Sequence, residues 1–208
     1  MRREEFDMTT REEVDVFLQE MSFGVLGLPD EVYPYLVPIN FAYRDGNVYI
    51  HGSRIGHKME AIGEGARVSF SVAKEFAIIP SHFTDPVFAC PATAFFKSVL
   101  IRGTASVVQD MQEKAEALTA LMEKLQPEGG YDPIDPVVPA YASRVRGVAV
   151  IRITPEQLSA KFKFGQNQPE AKHAHIRESL LERDRPLDRE TAELMARYCP
   201  AHKRESPL

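Results

Sequence analysis

Between Tyr49 and Ile62 the chain reads YIHGSRIGHKMEAI, and within it His51, Ser53, Arg54, His57 and Lys58 gather hydrogen-bond donors and positive charge. Tyr49-Ile50-His51 reads as the end of a strand, Gly52-Ser53 as a break, and Ile55, Met59 and Ile62 as the apolar stripe of a helix. A helix N-terminus presents unpaired N–H groups and positive dipole, so it favours an anion. Ser53 adds a hydroxyl, Arg54 a planar fork of donors and Lys58 a flexible point charge. Together they could hold one phosphate, with His57 beside it. A plainer reading makes Ser53 an N-cap, Arg54 and Lys58 a solvated face, and His57 merely exposed. The Gly-rich phosphate loops GxGxxG and GxxxxGK[ST] are absent.

Positioning these residues is the work of a hairpin. Asp45-Gly46 is a strong two-residue turn signal between YPYLVPINFAY and NVYIHG. Counting from it sets Arg44 opposite Asn47, Tyr43 opposite Val48, Ala42 opposite Tyr49, Phe41 opposite Ile50 and Asn40 opposite His51. Faces alternate along a strand, so Phe41, Tyr43, Val48 and Ile50 form a core face. Asn40 and His51 then share the other face, with Pro38 and Ser53 beyond. Pro34 and Pro38 argue against a plain central strand.

Elsewhere, Thr10 and Glu13 read as a capping box before a helix ending near Met21. FGVLGL and ARVSFSVA read as strands, and AFFKSVLIRGTASVVQ as a long strand bent at Gly103. Asp110 to Leu125 is amphipathic, with Ala115, Leu118, Leu121, Met122 and Leu125 on one face. A Pro-rich connector follows, and Tyr131 to Tyr141 reads as a lid or a plain linker. GVAVIRITPEQLSAKFKF reads as a pair of strands, and the tail from Pro169 as two charged helices divided near Pro186. The expected fold is mainly β with helical additions, a small barrel of about six antiparallel strands. A doubly wound parallel sheet is disfavoured, because strands and helices alternate too rarely.

The 208 residues suit one medium domain or a domain with an extension. The net charge of -5 argues against broad nucleic-acid binding. Two distant cysteines, Cys90 and Cys199, make no disulfide framework, so a cytoplasmic setting is the simplest. MRREEFDMTTREE is too acidic for a signal or transit peptide, and no apolar run reaches membrane-spanning length.

The segment YPYLVPINFAYRDGNVYIHGSRIGHKMEAIGEGARVSFSV resembles the FMN-binding split-barrel superfamily around pyridoxamine 5'-phosphate oxidase, and within it the 5-nitroimidazole reductase-like branch. The resemblance rests on a VPxNFxY strand (Val37, Pro38, Asn40, Phe41, Tyr43) followed by YxHxxxxGxK (Tyr49, His51, Gly56, Lys58). FFKSVLIRGTASVVQDMQEKAEALTALM and GVAVIRITPEQLSAKFKFGQNQPE extend it to roughly residues 21–169. KxKxxQN (Lys161, Lys163, Gln166, Asn167) is similar to a branch of FMN-binding transcriptional regulators.

The resemblance implies a split barrel over residues 1–168, a helical extension over 169–208, and a flavin, usually FMN, at a homodimer interface. FAD or a deazaflavin cofactor serves some relatives. By carry-over, Val37, Pro38, Ile39 and Asn40 would border the flavin ring and ribityl chain. His51, Gly52, Ser53, Arg54 and Lys58 would hold the ribityl and phosphate, with His57 nearby. Lys97, Ser98 and Gln166 would approach the flavin from later strands. The implied function is an oxidoreductase passing electrons from a small donor to a nitroaromatic- or quinone-like acceptor. His51 is the candidate catalytic proton donor, the alternative being that it only binds the cofactor. A flavin-binding sensor or regulator partner is the alternative function. The chain departs from true pyridoxamine phosphate oxidases in having no tryptophan and in its ending CPAHKRESPL. It also has Phe164-Gly165 where the regulator branch has Leu-Ser.

Outside this set, His82, Asp85 and Cys90 share a long loop, but their spacing matches no zinc or iron motif. All three read most simply as solvent-exposed loop residues, Cys90 alternatively as a reactive or a packed thiol, and His173 and His175 as surface residues of the tail.

Overall fold

The computed structural model describes residues 4–199. The first three residues and the end of CPAHKRESPL beyond Cys199 lie outside them. The described chain is mainly β. Its strands are β1 (Phe23–Leu28), β2 (Tyr35–Asn40), β3 (Ala42–Arg44), β4 (Asn47–Gly52), β5 (Ala66–Ile79), β6 (Thr93–Val107) and β7 (Ala149–Lys163). Its helices are α1 (Arg11–Glu20), α2 (His57–Ile62), α3 (Met111–Leu125), α4 (Pro139–Gly147), α5 (Glu170–Arg183) and α6 (Asp188–Arg197). The strands form one seven-stranded sheet in the order β2-β1-β5-β6-β7-β4-β3. Sequence reasoning expected about six strands of this class. GVAVIRITPEQLSAKFKF, expected as two, is the single strand β7, while YPYLVPINFAY divides into β2 and β3.

The chain forms two compact units. The larger comprises Thr10–Val72 and Val99–Ser159. In it the hairpin turns as its sequence dictates: Asp45 and Gly46 both have positive φ, 50° and 77°, the geometry a two-residue loop needs to follow strand twist. Ala42, Tyr43 and Arg44 pair with Tyr49, Val48 and Asn47 as counted. The register stops there. Phe41 donates its N–H to the Ser22 carbonyl at 3.0 Å, and Asn40 pairs with Phe23 of β1 rather than with His51. Instead β4 runs beside β7, with His51 opposite Val150.

Phe41, Tyr43, Val48 and Ile50 are buried as expected. The opposite face is not wet, because α3 covers it. Ala117 and Leu121 pack there with Ala42, Tyr49, Val108 and Val150. Asp110 caps α3 by accepting the Glu113 N–H at 2.7 Å. Glu113 in turn accepts from Tyr49 Oη at 3.0 Å and Arg152 Nη1 at 2.8 Å, tying the helix to the sheet. Thr10 stands at the N-cap of α1, but its hydroxyl caps no N–H, so the expected capping box does not form.

One glycine of this unit is held by a close approach. A Cβ on Gly103 would lie 2.0 Å from the Thr154 carbonyl oxygen and 3.1 Å from Pro155 Cα. Backbone on both sides leaves nothing flexible to yield. Gly103→Ala is therefore expected to destabilise by roughly 3 kcal/mol, lowering the melting midpoint by about 6–12 °C. A thermal scan within 1–2 °C of the parent, on that same scale, would contradict the close approach.

The other unit comprises the chain up to Thr9, Ala73–Ser98 and the chain from Ala160. The tail forms two helices divided near Pro186, as read from sequence. His175 is exposed but His173 is buried, against the expectation of a surface residue. The tail's second turn of organisation is an ion pair. Asp188 is 1 % exposed and is gripped by Arg183 through two bonds, 2.6 and 2.8 Å. No helix among the described residues is long and apolar enough to cross a membrane.

Candidate anion and cofactor site

The end of β4 and the loop after it concentrate cations in the larger unit. Gly52 closes β4, and a Cβ there would lie 2.6 Å from Lys58 Nζ. The absent side chain is what lets the lysine fold back over the strand end. Burial lowers the Lys58 amine below the ordinary lysine range. Burial first, and the Lys58 charge second, also lower the His51 imidazole. Arg54 donates to the Arg146 carbonyl at 3.4 Å. Lys114, reaching from α3, donates to the Val148 carbonyl at 3.1 Å and is lowered first by burial and then by Arg54. Among the described residues none of Arg54, Lys58 and Lys114 forms an ion pair. Lys58 and Lys114, desolvated and without a counter-charge, are relieved by an anion, and the exposed Arg54 adds to the positive potential.

The helix contributes differently from the sequence reading. It begins after Gly56, whose φ of 102° suits only glycine, and Ser53 is not its cap. Ser53 Oγ instead accepts the Ile55 N–H at 3.2 Å, closing a local turn. At six residues α2 is too short to supply much dipole, so side chains must do the holding. His57 faces away from that task. Its Nε2 meets Asp30 Oδ2 at 3.1 Å, and its ring packs on Tyr35 with centroids 4.6 Å apart. This contact fastens α2 to the β1–β2 connection. The Glu31 N–H first, and His57 second, hold Asp30 below the usual carboxylate range.

Val37, Pro38, Ile39 and Asn40 lie on β2, the edge of the sheet, where a proline is tolerated. Asn40 Nδ2 donates to the Ser22 carbonyl at 3.0 Å, so its amide helps position the edge. β2 and β4 touch, which brings the Val37–Asn40 segment beside the His51 strand without the direct pairing expected.

The remaining candidates belong to the other unit. Lys97 is buried, with its amine 5.4 and 5.0 Å from the Phe76 and Phe162 ring centroids, and Ser98 is half-buried. The Gln166 amide is occupied by its own turn. It accepts the Phe164 N–H at 2.7 Å and donates to the Phe162 carbonyl at 2.6 Å. Lys161, Lys163 and Asn167 border a polar cavity of about 520 Å³ with Thr93 and Cys90. Cys90 is exposed rather than packed. No group of three or more His, Cys, Asp and Glu among the described residues is arranged to hold a metal.

Sequence reasoning missed Lys114. Its signal was a lysine between Ala115 and the Asp110 cap on the inner face of α3, where an unpaired charge needs a reason. It also missed that His51 lines an apolar cavity between α3 and α4, because that required knowing that α3 covers this face.

Comparison with known proteins adds the relationships. A family model described as pyridoxamine 5'-phosphate oxidase matches residues 10–162. Protease synthase and sporulation protein PAI 2 of Bacillus subtilis (strain 168) is 26% identical over 201 residues, 91% of this chain and 93% of that protein. The flavocytochrome Anf3 from Azotobacter vinelandii superposes with a TM-score of 0.65 at 24% identity, over 81% of this chain and 75% of that one. The FAD and heme binding protein from Mycobacterium smegmatis gives 0.64 at 18% identity, over 81% and 78%. A candidate 5-nitroimidazole antibiotic resistance protein from Bacteroides thetaiotaomicron gives 0.58 at 22% identity, over 74% and 85%. The split-barrel fold expected from sequence is thus the one that the chain shares with these structures.

Proposed function

The chain belongs to the pyridoxamine 5'-phosphate oxidase family, and from that premise we propose that it binds FMN and passes electrons from a small donor to a small nitroaromatic- or quinone-like acceptor. The observation that carries this reading is the set of unpaired cations at the end of β4. Its chemistry fits the phosphate end of a flavin mononucleotide. Lys58, desolvated and folded over Gly52, supplies a charge-assisted contact, and Arg54 and Lys114 supply surrounding positive potential. The β2 edge offers backbone and the side chains of half-buried Val37 and Ile39 and exposed Pro38 for the ring. Flavin, when bound, supplies reversible two-electron chemistry.

Lys58→Ala removes one charge-assisted contact, worth about 1.5–3 kcal/mol, so FMN affinity should fall roughly ten- to a hundred-fold. Riboflavin, which has no phosphate, should be nearly indifferent to the same substitution. An equal loss for both flavins would relocate Lys58 away from the phosphate.

His51 is proposed to meet the acceptor. Its lowered pKa leaves the imidazole neutral at neutral pH, so it offers one N–H and one acceptor nitrogen there. If its protonated form is the proton donor, that form accumulates only as pH falls below the ordinary 6.5, and turnover should rise with acidity through that window. His51→Ala is expected to keep its flavin and lose about 10²-fold in turnover per bound flavin, together with this acid-side limb. Lost flavin with unchanged turnover per bound flavin would make His51 a binding residue only.

A homodimer is part of the proposal. Val32, Tyr33, Leu36 and Ile55 are 60–83 % exposed around the β1–β2 connection and the loop before α2. Such a concentration favours a partner surface. Light scattering should return twice the 23.4 kDa chain mass. KxKxxQN (Lys161, Lys163, Gln166, Asn167), similar to a branch of FMN-binding transcriptional regulators, favours a second reading, a flavin-binding regulator without turnover. Bleaching by reduced nicotinamide and reoxidation by a nitroaromatic or quinone separates the two, since a regulator would show neither.

A further inference from the structure

We propose that the polar cavity beside the end of β7 binds a sugar phosphate, with the phosphate between Lys161 and Lys163 and the hydroxyls on the Asn167 and Gln168 amides. The cavity measures about 520 Å³, and all its lining residues belong to the smaller of the two units. That is within the range for small-molecule sites and far more than a bare phosphate fills. Residues two apart on a strand share a face, at a spacing of roughly 7 Å. Lys161 and Lys163 therefore both line the cavity, while Phe162 between them is buried on the other face. Beyond the strand, Gly165 turns the chain at a φ of 81°. The Gln166 amide closes that turn, and the Gln168 N–H donates to the Gly165 carbonyl at 2.9 Å. The turn brings Asn167 and Gln168 back to the same cavity.

Neighbouring side chains hold both amines at the cavity wall. Lys163 Nζ donates to Oγ1 of Thr93, itself a lining residue. Lys161 Nζ lies 5.4 Å from the ring centroids of Phe6 and of Phe96. It forms no ion pair among the described residues. Both lysines are half-buried, so a solute can reach them. No aspartate or glutamate lines the cavity, so nothing in the lining opposes an anion. No arginine lines it either. Lysine is a point charge that suits a compact phosphate, whereas a planar carboxylate is matched better by an arginine fork. A carboxamide both donates and accepts, which is what a hydroxyl asks of its partner. The lining is mainly polar, so an apolar body would gain little there. None of the residues proposed to hold the flavin lines this cavity.

Calorimetric titration of the purified protein with ribose 5-phosphate and glucose 6-phosphate, each beside its free sugar and inorganic phosphate, tests the site. At least one sugar phosphate should bind. Its free sugar, lacking two charge-assisted contacts, should bind at least a hundred-fold more weakly, and inorganic phosphate about tenfold more weakly. Lys161→Gln should weaken that sugar phosphate roughly ten- to a hundred-fold. Lys163→Gln should do the same, which keeps the test decisive if either variant fails to fold. Cys90 is exposed in the lining and reports where binding occurs. The bound sugar phosphate should slow its alkylation by iodoacetamide, read by peptide mass, in the parent and not in Lys161→Gln protein at the same concentration. Flavin content should be unchanged in Lys161→Gln, and sugar phosphate affinity unchanged in Lys58→Ala, so this site and the flavin site succeed or fail separately. No binding of either sugar phosphate at millimolar concentration, inorganic phosphate binding as tightly as both, indifference to both lysine substitutions, or an unprotected Cys90 would overturn the proposal.

Discussion

Riboflavin is expected to bind this protein at least a hundred-fold more weakly than FMN. The two flavins share every ring and ribityl contact and differ only in the phosphate. That phosphate is proposed to meet Lys58, whose amine is desolvated and folded over Gly52, within the field of Arg54 and Lys114. Two charge-assisted contacts at about 1.5–3 kcal/mol each give at least roughly 3 kcal/mol, which is more than a hundred-fold in affinity. The difference should exceed the loss caused by Lys58→Ala, which removes one contact and leaves the rest. It should also shrink as salt rises, because Arg54 is exposed and its share is screened. Flavin-fluorescence titration of apo-protein measures both constants. Equal affinities would mean that the cations at the end of β4 hold something else.

Asp188→Ala is expected to destabilise by about 3–5 kcal/mol, the range for breaking a buried ion pair by removing one partner. The side chains are 1 % and 15 % exposed, and their two bonds leave Arg183 partly desolvated with its counter-charge gone. Arg183 also donates to the Ile78 carbonyl at 2.8 Å, so the loss would be felt at the end of β5 as well. The pH dependence has a definite sign. Burial acts to raise the Asp188 carboxyl, but the Arg183 guanidinium and the Arg185 N–H outweigh it and bring it below 3.8. A carboxyl with a depressed folded pKa contributes stability that is fully present above its unfolded value and lost as pH falls through the folded one. The gap in urea midpoint between parent and variant should therefore be constant above about pH 5 and close below about pH 4. A gap that persists unchanged at pH 2.5, on that same expectation, would show that the charge is not what Asp188 contributes.

The parts of this fold that were legible in sequence were those fixed by local chemistry. Asp45-Gly46 dictated its turn, because only a pair tolerant of positive φ makes it, and three strand pairs followed by counting. The apolar period dictated α3, and Asp110 its start. What failed was whatever depended on a distant partner. The count beyond Ala42 assumed one continuous strand, but Ser22 and β1 claim Phe41 and Asn40, and no local signal announces this. Counting put His51 on the face opposite the core, but that face is covered by α3, more than fifty residues on in the chain. GVAVIRITPEQLSAKFKF was expected as two strands, yet β7 runs unbroken through Pro155, packed against the bare backbone of Gly103. The candidate site was legible as a collection of cations. Which of them serve structure was not: His57 went to Asp30 and Gln166 to its own turn.

The central claim is that a flavin carrying a phosphate sits on the cations at the end of β4. The most direct measurement is to release whatever the purified protein carries by heat, identify it by mass, and count it against the chain. FMN at close to one per chain is the predicted result, with Lys58→Ala protein markedly depleted. Protein that carries no flavin, and that takes up none when given excess FMN, would contradict the account.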